Sequence, residues 1–147
     1  MGRKRSPAPS TRFVLDCSVA VAWFFEDETN AYAEAVEDSL LTSSALVPSL
    51  WPLEIANALI VGERRSRATE AKVTTFLQLL AALPIAIDDE TASRAWHQSL
   101  ALGRRHQLSL YDAAYLELAL RHGVSLASLD KTLMAAARAA GVPTYKP

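Results

Sequence analysis

Short apolar runs alternate with longer stretches of helical periodicity along most of the chain. Phe13-Val14-Leu15, Ala45-Leu46-Val47, Ile85-Ala86-Ile87 and Ser125-Leu126-Ala127 each read as a short buried strand, and Val142-Pro143-Thr144 as a candidate fifth. Between them lie helical segments. Ser18 is placed to cap the first, Val19 to Phe25, and a Glu26-Asp27-Glu28 turn opens the second, about 29–41. Pro52 sits in the first turn of a helix that runs to about Arg65. Val73, Phe76, Leu77 and Leu80 form an i, i+3, i+4, i+7 stripe over 70–82. Asp88 to Leu102 reads as a helix stopped by Gly103, Ser109 opens a helix that Gly123 ends, and 131–140 is the last. The alternation predicts an α/β fold: a three-layer α/β/α arrangement with a central parallel sheet of four to five short strands.

Composition narrows this further. A chain of 147 residues, half of them hydrophobic, suits one soluble domain with a single core. Its apolar runs are far shorter than the roughly 20 residues a membrane span needs. No signal-peptide pattern follows the basic start, and Cys17 as the one cysteine excludes a disulfide framework or a cysteine-based zinc site. The expected location is the cytoplasm. Residues 1–12 read as a disordered basic tail, either solvated or a nucleic-acid arm, and 13–147 as the folded domain. Setting aside that tail, with Arg3, Lys4, Arg5 and Arg12, leaves 11 basic against 16 acidic residues. A body with net charge −5 binds phosphate poorly unless it has local basic patches or bound cations.

Four acids occupy equivalent places in this pattern. Asp16 follows the first strand and Asp130 the fourth, while Glu54 and Asp112 fall in the first turns of helices. In an open parallel sheet, the carboxyl ends of the strands and the N-termini of the next helices share one edge. The four carboxylates can therefore meet. Taken singly, each also reads as an ordinary helix N-terminal acid; Ser109 to Asp112 fits a capping box. Asp16 resists that reading because it lies between an apolar strand and Cys17, with no Lys or Arg near it in sequence. If the four converge, they repel, and a hard divalent ion, Mg2+ or Mn2+, relieves the repulsion through all-oxygen coordination. Such an ion polarises a phosphoryl group and activates water, so the implied chemistry is phosphodiester hydrolysis.

These residues resemble a known family. Val14-Leu15-Asp16-Cys17-Ser18 is similar to the opening of PIN domains, and Glu54-Ile55-Ala56-Asn57-Ala58-Leu59 to their E-x-x-N-x-L helix. Leu108 to Tyr115 resembles their L-x-x-x-D-A segment, and Leu126 to Leu133 their A-T-x-D-x-x-L segment, with Ser128 where Thr is more common. The resemblance extends over roughly 13–145 and points to the VapC-like toxins of type II toxin–antitoxin modules. It implies a Mg2+- or Mn2+-dependent endoribonuclease acting on single-stranded RNA, a homodimer, and inhibition by a cognate antitoxin. By position, Asp16 and Asp112 are the main metal ligands and Glu54 and Asp130 complete the acidic site. Ser18 and Ser128 are polar supports, and Asn57, one turn after Glu54, is placed to hold its carboxylate. The alternative is a non-catalytic PIN-like module that binds RNA or protein.

Other residues carry less. Arg64, Arg65 and Arg67, or Arg104, Arg105 and His106, form clusters that suit phosphate but read more readily as solvated helix ends. His97, His106 and His122 lack ligand spacing, and Trp23, Trp51 and Trp96 read as core or interface. The acidic run from Glu26 to Asp38 suits a basic partner segment, beside a groove expected along the helices at 19–25 and 51–63.

Overall fold

The structure is a computed structural model and describes residues 11–28 and 30–147. The tail read over 1–12 falls mostly outside these residues; Arg12 opens the first strand. In chain order the elements are β1 (Arg12–Leu15), α1 (Cys17–Phe24), a 3-10 turn (Glu26–Glu28), α2 (Ala31–Ser39), β2 (Ser44–Val47), α3 (Trp51–Arg64), α4 (Glu70–Ala82) and β3 (Ile85–Ile87). There follow α5 (Thr91–Arg94), a π-helical segment (Ala95–Ser99), α6 (Leu100–His106), α7 (Leu110–His122), β4 (Ser125–Ala127) and α8 (Lys131–Ala139).

All four strands are parallel, in the order β3-β2-β1-β4. The first strand is thus central and pairs directly with the last, Phe13 with Ser125 and Leu15 with Ala127. Phe13, Val14 and Leu15 are fully buried, as a strand covered on both faces by helices requires. Every residue of α7 from Ala113 to Ala119 is buried, which its alanines permit by letting neighbouring elements approach closely. The candidate fifth strand is reduced to a bridge between Leu126 and Thr144, with Leu126 N–H donating to Pro143 O and Tyr145 N–H to Leu126 O. Pro143 has no N–H to extend the ladder.

Three helix boundaries differ from the sequence reading. α1 begins at Cys17, with Asp16 at the N-cap position, so Ser18 lies inside the first turn and does not cap the helix. Asp88 to Glu90 do not join a helix, because the Asp88 carboxylate accepts from Glu90 N–H and engages Arg121, and α5 starts only at Thr91. Gly103 lies within α6, which ends at Gln107 in the left-handed conformation (φ 55°). A Cβ at Gly103 would lie 3.2 Å from Leu108 O and 3.8 Å from Ala113 Cβ, so the glycine serves the close approach of α6 to α7.

Candidate active site

The centre of the sheet's carboxyl edge is built around Asp16. Its backbone N–H donates to Ala127 O at 3.0 Å, tying the ends of β1 and β4 together. Its side chain is only 4 % exposed. Ser18 Oγ donates to Asp16 Oδ2 at 2.6 Å, and Ser128 Oγ donates to the same oxygen at 2.7 Å. Each hydroxyl also accepts a backbone N–H, Ser18 from Leu129 and Ser128 from Asp130, both at 3.0 Å. Because each hydroxyl carries one proton and already receives an N–H, its own proton is directed at Asp16.

The other acids arrive from separate elements. Glu54, half-buried in the first turn of α3, accepts at Oε1 from Tyr115 hydroxyl at 2.6 Å. Asp112 lies in the first turn of α7, where its backbone N–H donates to the Ser109 N-cap hydroxyl at 3.1 Å. Asp130 caps α8, accepting at Oδ1 from Leu133 N–H at 2.9 Å. The capping role read for Asp130 is therefore present, and its charge still acts on the cluster.

Electrostatics join the four. Burial pushes the Asp16 carboxyl above its usual range; the Ser18 and Ser128 hydroxyls pull it back, and the Asp130 charge adds to the rise. Glu54 is raised by burial, then by Asp16 and Asp112, against the lowering hydrogen bond from Tyr115. Asp112 is raised by burial, then by Asp130 and Asp16. Among the described residues no Lys, Arg or His forms an ion pair with any of these four acids. Mutually repelling carboxylates with no cation from their own chain are a fit for a hard divalent ion.

A second acidic group has a different character. Asp88, Asp89 and Glu90 bring oxygens within 4.8 Å of one another, a spacing that no three of the four acids above reach among the described residues. Yet Arg121 donates to both Asp88 oxygens (2.9 and 2.7 Å), to Glu90 (3.0 Å) and to Glu117 (2.9 Å), and Arg94 lies beside Glu90 and Glu117. The Arg121 hydrogen bonds hold Asp88 below the usual carboxylate range. The chain has already paired Asp88 and Glu90 with its own arginines, so we read these two as part of an internal ion-pair network.

Several side chains sit other than the sequence suggested. Asn57 is exposed and makes no hydrogen bond to Glu54; Tyr115 makes it instead. Tyr115 is three residues beyond Asp112 on the same helix, and that spacing was the one signal available for it. The Cys17 thiol, pushed up by burial and by the charges of Asp16 and Glu54, lies among Glu54 and Tyr115. Trp51 is buried and Trp23 donates to Ala33 O, but Trp96 is 83 % exposed. Arg67 pairs with Asp27 at 2.8 Å and stacks over Phe25. An apolar cleft beside α1 is lined by Phe24 and, from α4, by Phe76 and Leu79.

Comparison with known proteins agrees with this arrangement. The sequence profile of the PIN domain matches residues 13–139. Ribonuclease VapC3 of Pyrobaculum aerophilum is 28% identical over 122 residues, 83% of this chain and 92% of that protein. Among solved structures, PAE2754 of Pyrobaculum aerophilum superposes with a TM-score of 0.62 at 20% identity, covering 91% of this chain and 83% of that one. VapC20 of Mycobacterium tuberculosis, a Sarcin-Ricin loop cleaving toxin, gives 0.60 at 13% identity, covering 92% and 99%. FitAcB of Neisseria gonorrhoeae gives 0.59 at 17% identity, covering 92% and 97%. These structural likenesses speak to the fold. The profile runs from the central strand to the last helix and contains all four acids, and on that match the chain belongs to the PIN domain family.

Proposed function

We propose that this chain is a metal-dependent endoribonuclease that hydrolyses phosphodiester bonds of single-stranded RNA, and that it is the toxin of a toxin–antitoxin pair. One observation carries the reading: four carboxylates from four segments act on one another electrostatically, and among the described residues no cation pairs with them. The ribonuclease and toxin relatives support the substrate and the biological role.

Asp16 and Asp112 would be the principal ligands of Mg2+ or Mn2+, with Glu54 and Asp130 completing the acidic shell. A bound divalent ion would neutralise the carboxylates, polarise the scissile phosphoryl group and make water a better nucleophile. Ser18 and Ser128 hold Asp16 in one orientation, and Tyr115 holds Glu54. Asn57 is exposed on α3 one turn after Glu54. The chain would work in the cytoplasm as a homodimer, checked by its antitoxin. The cleft at Phe24, Phe76 and Leu79 offers that partner an apolar surface next to the acidic 26–38 segment.

The test is cleavage of labelled RNA by the purified chain with Mg2+ or Mn2+, with and without chelator. Metal-dependent cleavage is expected, and Asp16→Asn and Asp112→Asn should each abolish it. Asp27→Asn, which changes an exposed residue paired with Arg67, should leave it intact. Activity that persists in both site variants removes the metal-centre reading. Co-purification with the product of the adjacent gene tests the antitoxin role.

A further inference from the structure

Ser128 and Asp130 belong to the acidic centre, and they also line an open cleft of about 420 Å³. One wall is α8, where Lys131, Met134 and Arg138 stand at i, i+3 and i+7 on a single face. The helical rise puts the two cations about 10 Å apart along the axis. Met134 is buried and forms the floor between them. The opposite wall is the start of α2. There Asn30 Oδ1 accepts from Ala33 N–H, leaving its amide donors for a ligand, and Tyr32 is pinned by the bond from its hydroxyl to Tyr145 O at 2.7 Å.

The position of its cations sets this cleft apart: Arg64, Arg65, Arg104 and Arg105 are also exposed, but Lys131 is the one next to Asp130 in sequence. Lys131 and Arg138 are exposed and, among the described residues, have no ion-pair or hydrogen-bond partner. Arg67, Arg94 and Arg121, in contrast, are spent on acids of their own chain. A polyanion cannot approach four carboxylates within a body of net charge −5 unless cations lie within a Debye length of them. Lys131 follows Asp130 directly, and Arg138 lies two helical turns further along the same face.

Resting on the ribonuclease reading, we propose that this cleft seats the single-stranded RNA next to the scissile phosphate, with Lys131 and Arg138 on backbone phosphates and a base against Met134 and Tyr32. Single-strand sites combine cations that follow the backbone with an apolar or aromatic surface for the bases. This cleft supplies both and opens onto the acids.

Binding and cleavage separate the two ideas. Anisotropy of a short labelled single-stranded RNA, in chelator so that no turnover occurs, measures affinity. The pair Lys131→Glu and Arg138→Glu should weaken binding by about 100-fold and flatten the log–log salt slope by about 1.4, at roughly 0.7 per phosphate contact on a single strand. The neutral pair Lys131→Gln and Arg138→Gln should give a smaller loss in the same direction. A charge-matched pair elsewhere, Arg65→Glu and Arg105→Glu, should change affinity less than about threefold. Equal losses in both reversal pairs, or none in the α8 pair, overturn the cleft. If the chain cuts RNA while the α8 pair binds as the unaltered chain does, the cleft falls and the nuclease stands. If RNA binds through Lys131 and Arg138 but is never cut, the nuclease reading falls and the cleft stands. A chain that binds no RNA removes both.

Discussion

Ser128 and Asp16 are 112 residues apart in the chain and 2.7 Å apart in the fold. That bond links the last strand to the first and fixes a carboxylate that has no ion-pair partner among the described residues. Replacing Ser128 by Ala removes one of the two hydroxyls on Oδ2 and the acceptor of Asp130 N–H. Denaturant unfolding should show a loss of about 1–3 kcal/mol, the cost of leaving buried polar groups unmatched. Ser128→Thr keeps the hydroxyl and should restore most of that stability, together with RNA cleavage.

Asp16 itself is expected to be a liability to stability. A buried carboxylate beside other acids costs more than a neutral amide of the same shape. Asp16→Asn should therefore raise the metal-free chain's stability by about 1–2 kcal/mol while abolishing cleavage. Thermal unfolding in chelator, paired with the RNA assay, checks both halves; a destabilised variant would contradict the electrostatic account.

The pH dependence has a definite sign. Asp16, Glu54 and Asp112 are raised above their ordinary 3.8, 4.5 and 3.8, so the folded chain holds these protons more tightly than the unfolded chain. Their contribution to stability is full below the ordinary values and is lost as pH rises through the raised ones. Asp88, lowered by Arg121, does the reverse: its contribution is present above 3.8 and lost as pH falls through the lowered value. Mg2+ or Mn2+ should accordingly raise Tm most near neutral pH and progressively less toward about pH 4, where protons compete for the same oxygens. Melting curves over that range, with and without metal, measure the effect, and Asp16→Asn with Asp112→Asn should remove it.

The Asp88 network should separate from activity. Arg121, Asp88 and Glu117 side chains are 13%, 7% and 6% exposed, so Arg121→Ala leaves buried Asp88 uncompensated and Glu117 with Arg94 at 3.5 Å. A loss of about 3–5 kcal/mol is expected from equilibrium unfolding. Asp88→Asn should leave the metal requirement of cleavage unchanged, which a metal site at Asp88, Asp89 and Glu90 would not allow.

Tyr115→Phe tests the support of Glu54. Removing the 2.6 Å bond takes away the contact that lowers the Glu54 carboxyl, which should rise further. Cleavage should fall by about tenfold near neutral pH, and the acidic limb of its pH profile should move to higher pH. A profile displaced to lower pH, or left in place, would contradict this role.

The parallel sheet, and the placement of the four acids at strand ends and helix starts, were legible because both follow from local pattern. Apolar runs of three residues next to helical stretches specify strand and helix, and the positions of Asp16, Glu54, Asp112 and Asp130 follow from that alternation. What was not legible depends on distant partners. Ser18 looked like a helix cap, and only the arrival of Leu129 N–H turns its proton toward Asp16. Gly103 looked like a stop signal, and only Leu108 and Ala113 in close approach give it another purpose. Asn57 was the neighbour within reach of Glu54 along one helix, while the actual partner comes from α7, 61 residues later. Glu117 and Arg121 have the i, i+4 spacing of a helical ion pair, but Asp88, 33 residues before Arg121, joins them only through packing.

The order of the strands has a further consequence. β4 is the last strand to be made and lies beside β1, the first. A nascent or stalled chain lacking it holds Asp16 without Ser128 and Asp130, and so carries pieces of the centre but not the centre. The four acids therefore come together only after β4 and the start of α8 have been synthesised.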